Sequence, residues 1–348
     1  MSESEVGSAV DFAFAATVGG WLARPAPPMT DYTRRQVIEE LHTCARAAEP
    51  LVREVTGLGD DGPVPDARVI DRRQWIAAAA ESMRVMMGGS EQPEGFLSSR
   101  LTGAQTGAVL AFVSSAILGQ YDPFCADDTT GAGQLLLVYP NVVAIERQLQ
   151  VTPADFRLWV CLHEVTHRVQ FSVNPWLTGY MADALAVLTS SSGPDLNQAV
   201  GRLSDHLRGR RDAGESPGPS GILGLVRAVQ SEEQRTALDQ LLMLGTLLEG
   251  HADHVMDAVG PRAVPSVETI RSRFEERRQR SQPPLQRLVR ALLGLDAKLS
   301  QYTRGKAFVD AVVDRVGMDR FNAVWSGPQT LPLPAEIEEP QAWIDRVL

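Results

Sequence analysis

The stretch His163-Glu164-Val165-Thr166-His167 decides how this chain is interpreted, because it places two histidines four positions apart. On an α-helix this spacing puts both imidazoles on one face, where they can reach a single zinc ion. The glutamate between them then lies beside a metal-bound water and can act as its base. In a chain with only six histidines the pattern seldom arises by chance. The stretch therefore predicts a zinc site with His163 and His167 as ligands and Glu164 as the catalytic residue.

The helix around this motif has well-marked predicted ends. Thr152 suits the N-cap, and Pro153 suits the first helical position, where its missing N–H is not needed. Asn174-Pro175 is expected to end the helix. The apolar residues that share the stripe of the histidines are Phe156, Trp159 and Val160. Both histidines are therefore expected to face the interior of the protein.

A catalytic zinc ion takes three protein ligands and leaves one position to water, so a third ligand must come from another segment. Glu249 lies at the edge of an apolar helical stripe, where a buried carboxylate needs a compensating cation. Its helix is predicted to begin at the capping box Ser231 to Gln234 and to end at Gly260-Pro261. Asp253, one turn later, can accept a hydrogen bond from a metal-bound histidine. We expect Glu249 to be the third ligand and Asp253 to orient a histidine.

These motifs, together with several other stretches, resemble the bacterial zincin-like metallopeptidase type 2 family, in the gluzincin branch of the zinc metallopeptidases. The stretches are Leu118 to Pro123, Pro140-Asn141, Phe156 to Phe171, Leu248 to Asp257 and Gln301-Tyr302. The resemblance covers most of residues 35 to 348 and implies a zinc site and a mostly helical zincin-like fold. Members are often labelled as associated with deazaflavin-cofactor biosynthesis. The separation of 82 positions between His167 and Glu249 departs from better-known gluzincins.

Two functions remain open at this point. The first is a zinc-dependent hydrolase, a metallopeptidase in which Glu164 activates a water bound to one zinc ion for attack on a peptide or amide carbonyl. The second is a zinc-binding accessory protein of zincin fold without peptidase activity. The oxyanion-stabilising residue is not identified, and the candidates of suitable chemistry are His251, His254, Tyr302 and Arg304. The two histidines of this set share a helix face and also suit a metal site of their own or an addition to the first one, but a position on the helix surface near the cleft is favoured for both.

Helical patterns dominate the chain, which predicts a mainly α fold with a small β-sheet. The resemblance implies that this fold is a zincin-like metallopeptidase catalytic domain with an N-terminal helical lobe. Residues 1–125 are expected to form the lobe, and residues 126–348 the zinc-binding region, with a flexible linker at about 190–221. An arrangement of both regions as one compact unit stays open. The best strand candidate runs from Gln134 to Tyr139, and an extended peptide can align along it by edge pairing.

The charge-free segment from Leu101 to Tyr121 is expected to be a tightly packed helix and not a membrane span, because glycine and hydroxyl residues dilute it. A net charge of −10 argues against nucleic acid or a membrane as partner and leaves a peptide or amide substrate. The three cysteines are widely spaced and odd in number, which suits a reducing compartment. No basic residue precedes Arg24, unlike a secretory signal, so we expect a cytoplasmic protein. The oligomeric state is not predicted.

Overall fold

The computed structural model describes residues 10–59, 64–88, 96–126, 131–189, 231–279 and 295–348. The strands are β1 (Arg68–Ile70), β2 (Gly119–Ala126) and β3 (Gly133–Val138). The helices up to residue 189 are α1 (Phe12–Leu22), α2 (Asp31–Thr56), α3 (Arg72–Met86), α4 (Phe96–Val113), α5 (Tyr139–Leu149), α6 (Pro153–Val173) and α7 (Trp176–Thr189). The later described helices are α8 (Glu232–Ala263), α9 (Val267–Gln279), α10 (Leu295–Val316), α11 (Met318–Phe321), α12 (Pro334–Glu338) and α13 (Pro340–Val347). Two short 3-10 helices, Asn322–Ser326 and Pro328–Thr330, follow α11. The prediction of a mainly α fold with a small sheet is confirmed.

The sheet has three strands in the order β1-β3-β2. β1 runs parallel to β3, with Ile70 opposite Val138, and β2 runs antiparallel to β3, with Gly119 opposite Leu137. The strand predicted from Gln134 to Tyr139 is confirmed as β3, except that Tyr139 is already the first residue of α5. The prediction that this strand offers a free edge to a peptide is wrong. Both edges of β3 are occupied by other strands, whereas no strand among the described residues pairs with the outer edge of β2.

The two faces of β3 belong to two different apolar cores. Leu135 and Leu137 pack into the larger core, which also contains residues of α2, α6, α8 and α10. Leu136 and Val138 pack into a smaller core against α3 and α4. All four side chains are buried, because successive residues of a strand point to opposite faces and helices cover both faces. The central strand thus links the helices of the amino-terminal third to the helix that carries the histidine motif.

Helix α6 begins and ends where the sequence predicts. Pro153 is its first residue, and Asp155 in the first turn favours the positive end of the helix dipole. Thr152 occupies the N-cap position, although its side chain makes no capping hydrogen bond. The helix ends before Asn174, whose side-chain amide donates to the carbonyl oxygen of Gln170 at 2.8 Å. Apolar and polar residues are buried on more than one side of α6, so the helix is held in place by the protein around it.

Helix α8 begins with the predicted capping box, in which Ser231 and Gln234 cap each other's backbone N–H groups. Its regular path ends at Gly260, whose φ of 38° is open to glycine at little cost and breaks the helix before Pro261. At its middle α8 crosses α10 so closely that a Cβ added to Gly250 would lie 2.6 Å from the carbonyl oxygen of Gly305. The backbone beside Glu249 is therefore fixed by direct contact with a second helix.

The charge-free segment forms α4 and, after a turn, leads into β2. Its glycines pack tightly as predicted: a Cβ on Gly103 would lie 2.6 Å from the carbonyl oxygen of Asp11, and Gly107 meets the backbone of α1 at Ala15. The burial is one-sided, since Leu101 and Val109 are exposed. Among the described residues, none of the helices combines the length and apolar content that crossing a membrane requires.

Residues 1–9 and the predicted linker at 190–221 lie outside the described residues. The predicted division of the chain at residue 125 falls within β2, next to the strand's last residue, Ala126. The assignment of a separate N-terminal lobe stays a prediction.

Candidate metal centre

Three side chains from two helices bring their donor atoms to one point. The Nε2 atoms of His163 and His167 on α6 are 3.2 Å apart. Glu249, across from them on α8, places Oε2 3.3 Å from His163 Nε2 and Oε1 3.9 Å from His167 Nε2. Within the described residues this is the one group of three or more histidine, cysteine or carboxylate side chains with ligand atoms close enough to share a metal ion.

The donor set fits a zinc ion. Zinc bonds of about 2.0 to 2.1 Å to nitrogen or oxygen, in a tetrahedral arrangement, put neighbouring ligand atoms roughly 3.3 Å apart. The separation between the two imidazoles and the shorter of the two separations to Glu249 match this value. Two imidazoles and one carboxylate are also a ligand set that catalytic zinc sites use. The three residues therefore have both the chemistry and the spacing that the ion needs.

The surroundings of His163 favour positive charge at this point. Burial lowers its pKa, but the hydrogen bond and the charge of Glu249, with smaller contributions from Glu164 and Asp253, raise the pKa to about 9. The pKa of His167 is lowered, first by burial and then by the neighbouring His163. The carboxylates around the two rings thus supply the negative charge that a bound cation would neutralise.

Glu164 lies beside the three donor groups and is almost completely buried. Burial raises the pKa of its carboxyl to about 7; the charge of His163 opposes this effect and that of Glu249 adds to it. The side chain packs against the first residue of β2, because a Cβ on Gly119 would lie 2.6 Å from the Cγ of Glu164. Only a residue without a side chain allows the strand to come this close to the carboxyl group.

The residue that contacts the outer nitrogen of His167 is Gln170, which the sequence analysis did not identify. His167 Nδ1 lies 2.9 Å from Gln170 Oε1. The spacing of 163, 167 and 170 keeps all three residues on one face of α6, and that spacing was the available signal. The structure shows no hydrogen bond between Asp253 and either histidine; Asp253 acts on both rings through its charge alone.

His251 does not lie on the helix surface, where the sequence analysis had favoured placing it. Its ring is completely buried, stacked on Phe321 at 5.5 Å and edge-on to Trp325 at 5.3 Å between centroids. Its Nδ1 lies 2.9 Å from Gln170 Nε2. Burial, together with the neighbouring His254 and His167, lowers the pKa of His251 to about 3. His251 is therefore held neutral, behind the three candidate ligands.

The other candidates for an oxyanion-stabilising role are engaged elsewhere or lie outside the described part. His254 binds Asp310 on α10 at 2.7 Å, and this aspartate also binds Lys306. Arg304 is exposed and pairs with Glu338 at 3.0 Å. The side chain of Tyr302 is not among those described. The structure therefore does not place His254 or Arg304 next to the three donor atoms.

A cavity of about 320 Å³ lies beside β2 and α6. Tyr121 and Pro123 of β2 line one side, and Arg168 and Phe171 of α6 line another. Tyr121 follows Gly119 by two positions and stacks on Phe171 at 5.7 Å. Arg168 directly follows His167 in sequence, but none of the three donor residues lines this cavity.

Comparison with known proteins agrees with this geometry. A sequence profile described as zincin-like metallopeptidase matches residues 10–344, nearly the whole chain. A crystal structure from Chloroflexus aurantiacus, provisionally described as a hydrolase with a novel fold, is 31% identical and superposes with a TM-score of 0.66. The match covers 97% of this chain and 98% of that one. No curated protein matches. With two histidines and a glutamate converging beside Glu164, and a family match over almost its full length, the chain belongs to the zincin-like metallopeptidases.

Proposed function

We propose that this protein is a zinc-dependent hydrolase of peptide or amide bonds, with one zinc ion held by His163, His167 and Glu249. The observation that carries the proposal is the convergence of these three donor groups within 4.8 Å of one another, beside the buried carboxyl of Glu164. The family match supports a hydrolase of the metallopeptidase type. The similar crystal structure from Chloroflexus aurantiacus is also described as that of a hydrolase.

In this proposal His163, His167 and Glu249 hold the metal, and Glu164 transfers the protons. When zinc is bound, it supplies Lewis acidity that lowers the pKa of a water and polarises a carbonyl group. Glu164 takes the proton from the attacking water and passes it to the leaving amine, which a carboxyl group can do without changing its position. The walls that bury Glu164 exclude bulk water, and this strengthens the interaction of its charge with the reacting groups.

The substrate of this proposal is an extended peptide that pairs with the outer edge of β2. Gly119 at the start of β2 touches Glu164, so a chain paired with this strand passes the catalytic carboxyl. Backbone hydrogen bonds to the strand give affinity without selecting particular side chains. The cavity beside Tyr121 and Arg168 then offers room for a substrate side chain further along β2 from Gly119.

Zinc-loaded protein should be incubated with a library of natural peptides, and new termini should be identified by mass spectrometry. Cleavage by the wild type should fall by at least about a hundredfold in Glu164→Gln, while this variant keeps its zinc. Glu336→Gln is a matched control, because Glu336 is also a buried glutamate but binds Arg346. It should cleave like the wild type.

Two results would contradict the proposal. If purified protein neither contains zinc nor takes it up, the ligand assignment fails. If zinc is bound with one ion per chain but no peptide or amide is cleaved, the protein is the zinc-binding accessory protein that the sequence analysis left open. Cleavage that persists unchanged in Glu164→Gln would remove Glu164 from the mechanism.

A cytoplasmic location, and a peptide or amide substrate in place of nucleic acid or a membrane, are part of the same proposal. The net charge of −10 supports the choice of partner. The three cysteines are all free, which supports a reducing compartment. Fractionation of cells, with detection of the native protein, tests the location.

A further inference from the structure

A chain of hydrogen bonds runs from the candidate metal centre into the core behind it. It leads from His167 to the side-chain amide of Gln170, and from there to His251 and to the backbone carbonyl of Leu248. Gln170 and His251 are completely buried. None of the three contacts involves the catalytic carboxyl, so the catalytic mechanism leaves this chain unexplained.

The backbone carbonyl of Leu248 determines how the amide of Gln170 is turned. A carbonyl oxygen can only accept a hydrogen bond, so the Gln170 atom 3.0 Å from it must be the NH₂ nitrogen. The same nitrogen lies 2.9 Å from His251 Nδ1. Both N–H donors of Gln170 are therefore used on the side away from the metal centre. The amide oxygen is left to face His167.

The orientation of the amide in turn determines the tautomer of His167. Its Nδ1 lies 2.9 Å from an oxygen that can only accept, so Nδ1 carries the proton. The lone pair of the ring is then on Nε2, the atom that faces His163 and Glu249. A neutral imidazole binds a metal only through its unprotonated nitrogen. We infer that Gln170 is a positioning residue that holds His167 in its metal-binding tautomer, with Leu248 and His251 holding the amide in place.

His251 holds the amide of Gln170 at the cost of burying one N–H group without a partner. Because its Nδ1 accepts from an N–H of Gln170, the ring proton must be on Nε2, and this buried atom has no hydrogen-bond partner among the described residues. A phenylalanine would stack equally well between Phe321 and Trp325 without burying an unpaired N–H group. What the imidazole adds is one lone pair directed at the amide of Gln170.

The inference rests on the proposed metal centre, and three variants separate it from a packing effect. Gln170→Met keeps the size but removes the amide, so zinc affinity should fall about ten- to a hundredfold. Gln170→Glu keeps an acceptor for His167 and should retain zinc affinity within about threefold of the wild type. The same change places a carboxylate against the Leu248 carbonyl, so Gln170→Glu should melt below Gln170→Met. If Gln170 only filled space, the variant with the lower melting temperature would also have the lower zinc affinity.

His251→Phe should weaken zinc binding less than Gln170→Met, because the Leu248 carbonyl still holds the amide. Thr166→Val is the matched control: Thr166 is completely buried on the same helix, beside His167, and its hydroxyl bonds only to the carbonyl oxygen of Leu162. This control should bind zinc like the wild type. Affinities are measured by competition with a chromophoric chelator.

The tautomer itself can be observed without any metal. In metal-free protein with ¹⁵N-labelled histidine, long-range ¹H–¹⁵N spectra recorded with a neutral ring should show His167 protonated on Nδ1, and Gln170→Met should populate the other form. A wild-type His167 protonated on Nε2 overturns the inference, as does a Gln170→Met variant with wild-type zinc affinity. If the wild type binds no zinc but shows the Nδ1 proton, the proposed function fails and the hydrogen-bond chain stands.

Discussion

Replacing Gly250 by alanine tests whether the close crossing of α8 and α10 holds Glu249 in place. A Cβ at this position would lie 2.6 Å from both the carbonyl oxygen of Gly305 and the amide nitrogen of Lys306. These are backbone atoms of a helix, so they cannot rotate out of the way. Ordinary contact begins at 3.4 Å, and the two helices would have to move apart by about 1 Å.

Gly245→Ala is the matched control for this change. Gly245 lies on the same helix, and a Cβ there would meet no atom within 4 Å. Alanine favours a helix over glycine by about 0.5 to 1 kcal/mol, so Gly245→Ala should be slightly stabilising. Gly250→Ala gains the same helix preference but adds an overpacking cost of about 1 to 3 kcal/mol. The difference between the two variants isolates the contact.

The assay is thermal unfolding of both metal-free variants, followed by zinc titration. The midpoint of Gly250→Ala should lie about 2 to 6 °C below that of Gly245→Ala. Gly250→Ala should also bind zinc more weakly, because the displaced helix carries Glu249 away from His163. Equal midpoints together with equal zinc affinities would refute the idea that this crossing positions the third ligand.

Three further changes test other parts of the structure. Glu249→Ala should lower zinc affinity by about a hundredfold in chelator competition, since one of three donor groups is lost; wild-type affinity would exclude Glu249 as a ligand. Glu146→Gln should destabilise the protein by about 3 kcal/mol in urea unfolding, because buried Arg157 loses the buried one of its two carboxylate partners, Glu146 at 2.8 Å, and keeps only the more exposed Glu40; a change below about 0.5 kcal/mol would contradict this. Burial raises the pKa of Glu336, but hydrogen bonds from Arg346 outweigh this and lower it. The stability that Glu336 adds is therefore complete above the pKa of an unfolded glutamate and is lost as the pH falls through the lower folded value. The melting gap between wild type and Glu336→Gln should shrink in acid, and a gap that widens there would be the opposite of this expectation.

The features that the sequence predicted well depend on short-range patterns. His163 and His167 share a face because of helical periodicity, and Ser231 with Gln234 forms a capping box within one turn. The strand β3 stands out as a short apolar run between turn residues. In each case neighbours in sequence determine the structure, so a single chain contains the needed information.

The features that it missed depend on contacts between distant segments. β1 has only three residues and exists because it pairs with β3. β2 contains Gly119, Asp122 and Pro123, which disfavour a strand when considered alone. Gln170 has no metal-binding side chain, and its role becomes visible only when α6 lies against the helix that carries Leu248 and His251. The sequence predicted Asp253 for this contact, because a carboxylate one turn after Glu249 can accept a hydrogen bond from a metal-bound histidine.

The alignment of β2 with β3 has a consequence for the placement of Glu164, the proposed catalytic base. A one-residue slip usually exposes apolar side chains to water, but Leu135 to Val138 are apolar and buried on both faces, so this safeguard is weak here. Steric contact specifies the register instead. A Cβ on Gly119 would collide with Glu164, and a Cβ on Gly133 would collide with the Tyr121 hydroxyl. A hairpin shifted by one residue would bring a side chain against Glu164, so the pairing of β2 with β3 and the position of the proposed general base depend on each other.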